Sequence, residues 1–398
     1  MSPVNIFRAF VFFLSLIFFS VSTSTVSAQT PSTKDLLLSW LSSTFDRNGD
    51  SKVNSLDFAI LIGTSTPTST PSPTPTPPSG SAVFQPFGTV NISTTNFNVN
   101  GAGSNVDSID FWEAPDPTQS LMFVTSKSAN RVEVWRYPFN VANSPATIEA
   151  NACMTTVGTN GVAVDQETDK LYITTSYGNK ICVFNLPSLT LSATITTPAT
   201  SSWLEPNLAL LKLSDGQKRL YISYDTRVYI YNPDTGANLG QFTPTKGLET
   251  MFGDNYYQQL YIPDENGRTG IYSYTPAGQS ISSFGNGVFN SDEEGIWVYS
   301  CPSSGIGDNG EGFIIVSDQI SALTEFEVFN RKTKQHLGKL TITGVNNTDG
   351  ISITQQSSPA YPLGLFAAID DDTSAVGVKW ETIFSAIRAT GANFTCGS

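Results

Sequence analysis

The sequence predicts an all-β fold, a six-bladed β-propeller with four-stranded antiparallel blades, preceded by a small helix–loop–helix module. Two observations point to the propeller. First, one apolar strand returns six times, as LMFVTS, LYITTS, LYISYD, LYIPDE, FIIVSD and LFAAID. These copies start at Leu121, Leu171, Leu220, Leu260, Phe313 and Leu365, at steps of 50, 49, 40, 53 and 52 residues. Second, each copy has the same neighbours. A further apolar run precedes it (SIDFW, GVAVD, NLALL, LETMF, GIWVY, GISIT) and another follows (RVEVWRY, KICVFNL, RVYIYNP, GIYSYTP, EFEVFNR, VGVKW). Turn signals such as Asn232 to Gly236 then lead into a fourth strand. β-Branched and aromatic residues fill these runs, which favours strands. A four-strand unit of this period cannot bury both its faces alone, so the copies stack radially.

In chain order, residues 1–28 predict an export signal. Arg8 gives a positive start, a 13-residue apolar run follows, and Val26-Ser27-Ala28 supplies small residues for cleavage. That run is shorter than the roughly 20 residues that span a bilayer. The mature chain is therefore expected to be secreted or at the cell surface. There the four cysteines would form bridges. Four cysteines allow three pairings, and Cys153–Cys182 with Cys301–Cys396 is the preferred one.

Residues 30–63 form the small module, with an apolar-periodic helix, the loop DRNGDSKVNSLD and a second short apolar stretch. Asp46, Asn48 and Asp50 stand at loop positions one, three and five. The Lys52 carbonyl is at seven, Asn54 at nine and Asp57 at twelve. Alternate oxygen donors curl around one hard cation, so Ca2+ is the expected occupant. Ser51 at position six and Asp57 at twelve make the loop resemble that of a type I dockerin, present here once. Residues 64–80, rich in Pro, Thr and Ser, cannot bury a core and predict an extended linker. Residues 81–398 form the propeller. Its sixth blade shows three strands after Gly350, and Val83 to Ile92 is expected to supply the fourth and close the ring.

Antiparallel strands place the starts of inner strands, the ends of second strands and the starts of third strands on one face. Acidic residues gather there: Asp107, Glu249, Asp292, Glu294 and Asp349 at inner strands, and Asp225, Glu265, Asp318, Asp370, Asp371 and Asp372 at or beyond second-strand ends. Arg131, Lys180, Arg227 and Arg268 open third strands, with Lys127 nearby. Crowded carboxylates repel unless they share a hard cation. A cation flanked by Arg and Lys suits phosphate.

The motifs of this face resemble those of the β-propeller phytases, or 3-phytases. The resemblance is carried by GLETMFGDNYYQQLYIPDENGRTGIYSY (Glu249, Glu265), DEEGIWVY (Asp292, Glu294), NNTDGISIT (Asp349), YPLGLFAAIDD (Asp370, Asp371) and PDPTQSLMFVTSK (Lys127). It implies a Ca2+-dependent phosphatase acting on phosphomonoesters of inositol phosphates. Its metal ligands would be Glu249, Glu265, Asp292, Glu294, Asp349, Asp370 and Asp371, and its catalytic groups Glu294, Lys127 and Arg227. The chain departs from the family pattern at Ser352, where the family has a second Asp, and in NVDSIDFWEAPDP, which keeps only Asp107 and Asp110 of an acidic run. Two other functions fit the same fold: a non-catalytic surface propeller that binds a ligand, and a lactonase-like hydrolase that also uses calcium.

Other classes are set aside by composition. The formal charge is −13, and removing the signal leaves 20 basic residues against 34 acidic ones, which argues against nucleic acid. His336 is the only histidine and is expected in a turn between third and fourth strands. One histidine excludes a His-based zinc site and a histidine phosphatase site. Trp112, Trp135, Trp297 and Trp380 are expected as blade core rather than sugar platforms. The expected partners are a phytate-like phosphorylated small molecule and, through the small module, a surface protein or polysaccharide, with the chain itself a monomer.

Overall fold

The computed structural model describes residues 82–100, 105–143, 145–149, 153, 158–176, 179–198, 205–224, 226–265, 267–301 and 308–396. The loop at residues 46–57 that was expected to bind Ca2+, and Asp225, lie outside the described residues. Six four-stranded antiparallel sheets follow one another along the chain, giving the six-bladed propeller that the repeat predicts. The inner strands are Val106–Trp112, Thr159–Asp165, Leu208–Lys212, Phe252–Asp254, Glu293–Cys301 and Ile351–Thr354.

The blades hold together through what lies between them. Six apolar clusters form, one at each junction of neighbouring blades. Second strands are therefore covered on both faces, and Leu121–Ser126 is buried at every position. This is why they read as continuous apolar runs rather than alternating ones. Outermost strands face water: in Thr190–Thr196 only Ile195 is buried.

Closure differs from expectation in detail. The fourth strand of blade six is Phe97–Asn100, antiparallel to Ser374–Lys379. Within the stretch expected in that role, Gly88–Ile92 instead adds a fifth, parallel strand to blade five beside His336–Ile342. Val83–Phe84 pairs with Phe394–Thr395. The closing strand thus begins five residues beyond Ile92, the end of the expected stretch, because Val90 and Ile92 bury their side chains against blade five. The cysteines pair as Cys153–Cys182 and Cys301–Cys396.

A helix absent from the sequence reading, α1 (Trp380–Ala389), follows the third strand of blade six. Trp380, Ile383, Phe384 and Ile387 form its buried stripe against Tyr299, Phe313 and Phe394. Trp380 therefore begins a helix rather than occupying a strand, although it is fully buried as expected. No helix among the described residues is long and apolar enough to cross a membrane.

A candidate metal centre at one mouth of the channel

The inner strands run side by side around the axis, and their starts converge at one end. Two glycines allow this approach. A Cβ on Gly295 would lie 2.7 Å from the Asp349 carbonyl, and one on Gly350 would lie 2.4 Å from that of Asp107. Glycine after Glu294 and after Asp349 thus lets inner strands five, six and one press together with their acidic residues at the contact.

A second device aims the side chains. Inner strands of blades one, two and five break register near their starts, between Val106 and Ile109, Thr159 and Val162, and Glu293 and Ile296. Such bulges leave backbone N–H groups unpaired and redirect side chains. In blades one and two a hydroxyl of the second strand takes up the free N–H: Ser108 N donates to Thr125 Oγ1 and Gly161 N to Thr174 Oγ1, both at 2.8 Å. In blade five the bulge separates two adjacent glutamates. Glu293 turns between blades and accepts from Asp264 N at 2.7 Å and Gly270 N at 2.8 Å. Glu294 joins the acidic cluster of the channel.

There Glu249, Glu265 and Glu294 bring carboxylate oxygens within 4.8 Å of one another. Glu249 and Glu294 are buried, and Glu294 Oε2 has no hydrogen-bond partner. Burial, and then the charge of Glu265, pushes Glu294 up to about 8. Burial and the neighbouring Glu294 hold Glu249 well above the usual carboxylate range. Asp349 accepts a hydrogen bond from the Gln319 amide. Burial, followed by the charges of Asp107 and Glu294, pushes it up to about 9.

Beside this cluster stands a buried cation. Lys127 Nζ lies 2.7 Å from Asp107 Oδ1 and 2.8 Å from Glu205 Oε1. Burial opposes its charge, but the two carboxylates outweigh burial and raise its pKa. Asp107 Oδ2 also accepts from Asn160 Nδ2 at 3.1 Å and Ser108 Oγ at 2.9 Å.

Of the residues singled out by sequence, Glu249, Glu265 and Glu294 meet directly, and Asp349 lies within their field. Asp292 is half-exposed and faces Arg268, 3.7 Å away. Arg227 is exposed at the start of its strand and has no ion-pair partner among the described residues. Asp370 accepts from Asn346 N at 3.0 Å, and the Asp371 side chain is exposed. Neither joins the close carboxylate group. Asp372, the last of that run, is the one whose charge acts on Asp349.

Asn160 and Glu205 were missed. Asn160 stands just before an inner-strand apolar run, in the place that Asp107, Glu249 and Asp349 occupy in other repeats, so aligning the repeats would have found it; Glu205 lies one residue earlier in its repeat, where Pro206 takes that place. His336 opens the fourth strand of blade five, not a turn, and its Nε2 lies 2.6 Å from buried Glu327.

Farther down the channel, Asp110 accepts from Phe111 N at 2.7 Å, Val164 N at 2.8 Å and Ser352 Oγ at 3.3 Å, joining blades one, two and six. Burial pushes it up to about 7. A carboxyl raised on folding binds its proton more tightly in the native state, so its contribution is complete below the unfolded value of 3.8 and is lost as pH rises through about 7. Urea denaturation between pH 4 and 8 is expected to show a downward slope that Asp110→Asn flattens. An unchanged slope in the variant would refute this.

Fold and site together define a class: a six-bladed propeller that gathers carboxylates at one end of its channel. Residues 225–389 match the family model described as Phytase. Over 170 residues the chain is 27% identical to the 3-phytase of Bacillus subtilis (strain 168), a match covering 37% of this chain and 42% of that relative. The match thus spans less than half of the relative's length. Glu249, Glu265, Glu294 and Asp349 all fall within the stretch matched by the family model, whereas Lys127 precedes it.

Proposed function

We propose that the protein is a calcium-dependent phosphomonoesterase of 3-phytase type, exported from the cell and acting on inositol phosphates. One observation carries the reading: three carboxylates converge within 4.8 Å, and one buried oxygen of Glu294 accepts no hydrogen bond. Oxygen-only donors crowded in this way fit Ca2+ better than a softer ion. Glu249, Glu265 and Glu294 would hold it, with Asp349 beside them. A hard cation so held supplies positive charge for phosphoryl oxygens and acidifies water next to them.

The chain's own residues do the rest. Ionised Glu294 and Glu249 balance the ion and hold their carboxylates where the repeat brings them together. Lys127, kept protonated by Asp107 and Glu205, sets a fixed positive charge at the wall of the site. Arg227, exposed and without an ion-pair partner among the described residues, reaches outward to a phosphate of the incoming substrate. Asp292, Asp370 and Asp371 lie farther out and would serve a second cation or the rim. The family match and the 3-phytase relative support the substrate class. The two disulfides and the N-terminal apolar run support export.

Phosphate release from phytate by the full chain is the test. Release is expected with millimolar Ca2+, to fall to background with a chelator, and to return on adding Ca2+ back. Release that ignores the chelator would overturn calcium dependence. Ca2+ binding without release at any concentration would favour the non-catalytic propeller, in which Asp107 and Glu205 keep Lys127 from substrate.

A further inference from the structure

The channel has a second mouth. Where the inner strands end, a cavity of about 510 Å3 opens, of a size that suits a small molecule. It lies at the opposite end of these strands from the carboxylate cluster. Trp297 lines it. Of the four tryptophans that the sequence reading assigned to blade core, Trp112, Trp135 and Trp380 are buried, and Trp297 alone is only partly so. Its ring is held 5.1 Å from that of Phe252 and tilted by 56°, which fixes the indole without covering it completely.

Another part of the cavity wall is charged yet balanced. Asp165, Glu167, Lys212 and Lys218 form a ladder across blades two and three. Lys218 Nζ lies 2.6 Å from Asp165 and 3.3 Å from Glu167, and Lys212 pairs with Glu167. Lys212 and Glu167 are 43% and 51% exposed, so both offer groups to a ligand. The other two acids of the lining, Asp110 and Glu113, are engaged by Phe111 N and Val164 N and by Thr354 Oγ1 and Gln355 N, so the ladder, with two acids and two bases, selects neither an anion nor a cation. An ammonium beside a carboxylate does match a vicinal diol, whose one hydroxyl accepts while the other donates. An aromatic plate with an amphipathic ring against it completes the pattern.

We propose that this cavity binds a neutral saccharide, with Trp297 as the stacking surface and the Glu167–Lys212 pair as the hydroxyl contact. The site is independent of the phosphatase reading and lies away from it. It assigns the propeller itself, not the N-terminal module, a hold on polysaccharide.

Saturation-transfer NMR on the full chain, with cellobiose, maltose and di-N-acetylchitobiose as probes, tests it. Transfer to at least one of them is expected, with millimolar affinity. Trp297→Ala should weaken it tenfold or more, and Trp297→Phe should restore part of the loss. Lys212→Met, at an exposed position outside the core, should weaken binding several-fold and leave both thermal unfolding and phosphate release unchanged. No transfer from any of the three sugars, or equal transfer in Lys212→Met and wild type, would overturn the proposal. Phytate hydrolysis can succeed or fail in the same preparation without affecting this result.

Discussion

Glu294→Gln is expected to lower calcium-dependent phosphate release by about 100-fold or more, the scale of losing a ligand that holds the charge needed in the transition state. The substitution keeps shape and removes charge. It should also have two opposite effects on stability. Without Ca2+, wild-type Glu294 is a buried carboxyl crowded by Glu249 and Glu265, so the amide should leave the apo-protein as stable or more so. With Ca2+, wild type should gain about 2.7 kcal/mol at a concentration 100 times its dissociation constant. The variant should lose most of that gain. Thermal unfolding with chelator and with Ca2+ reads both effects. Equal calcium-induced shifts in the two proteins would remove Glu294 from the centre.

Asp254→Ala should cost about 3 kcal/mol, because it leaves a buried cation with only the partly exposed Asp308 to balance it. Arg331 is 2% exposed and Asp254 fully buried. Arg331 Nε lies 2.9 Å from Asp254 Oδ2 and Nη2 lies 2.6 Å from Oδ1, a two-pronged bond between blades four and five. Asp308 takes Nη1 at 2.7 Å, and the rings of Tyr256 and Tyr257 lie against the guanidinium. Removing Arg331 as well should recover part of the loss. Burial alone would raise Asp254, but Arg331 outweighs it and lowers its pKa. The pair's contribution is thus complete above the unfolded value of 3.8 and fades as pH falls below it. Urea midpoints of the single and double variants at pH 7 decide the matter. A single-variant loss under about 1 kcal/mol would show that Asp308 alone balances the guanidinium.

The propeller was legible because its repeat is written in apolar strands, and covered second strands leave long uninterrupted runs such as LYITTS. The site was legible where an acidic residue precedes an inner strand and a glycine follows it, as at Glu294-Gly295 and Asp349-Gly350. Three things were hidden. Bulges carry no residue signature, so the motif that singles out Glu294 for the channel leaves unseen that its neighbour Glu293 braces two blades. The direction of a triple aspartate cannot be read: Asp371 and Asp372 both adopt left-handed backbone, with φ of 47° and 54°, and the turn decides which one reaches Asp349. Strand Gly88–Ile92 was assigned to the wrong blade because its apolar alternation fits either edge.

The ring is fastened by a strand from near the start of the propeller, Phe97–Asn100, laid against one from near its end, Ser374–Lys379. The first-made part of the barrel therefore waits for the last-made part before it has a partner. Contacts this distant in sequence slow folding. A nascent chain would remain open through most of its synthesis, in a form that a translocation pore can still thread. Cleavage within α1 would leave the ring zipped, and the Phe394–Thr395 strand would stay attached through the Cys301–Cys396 bridge until that bridge is reduced.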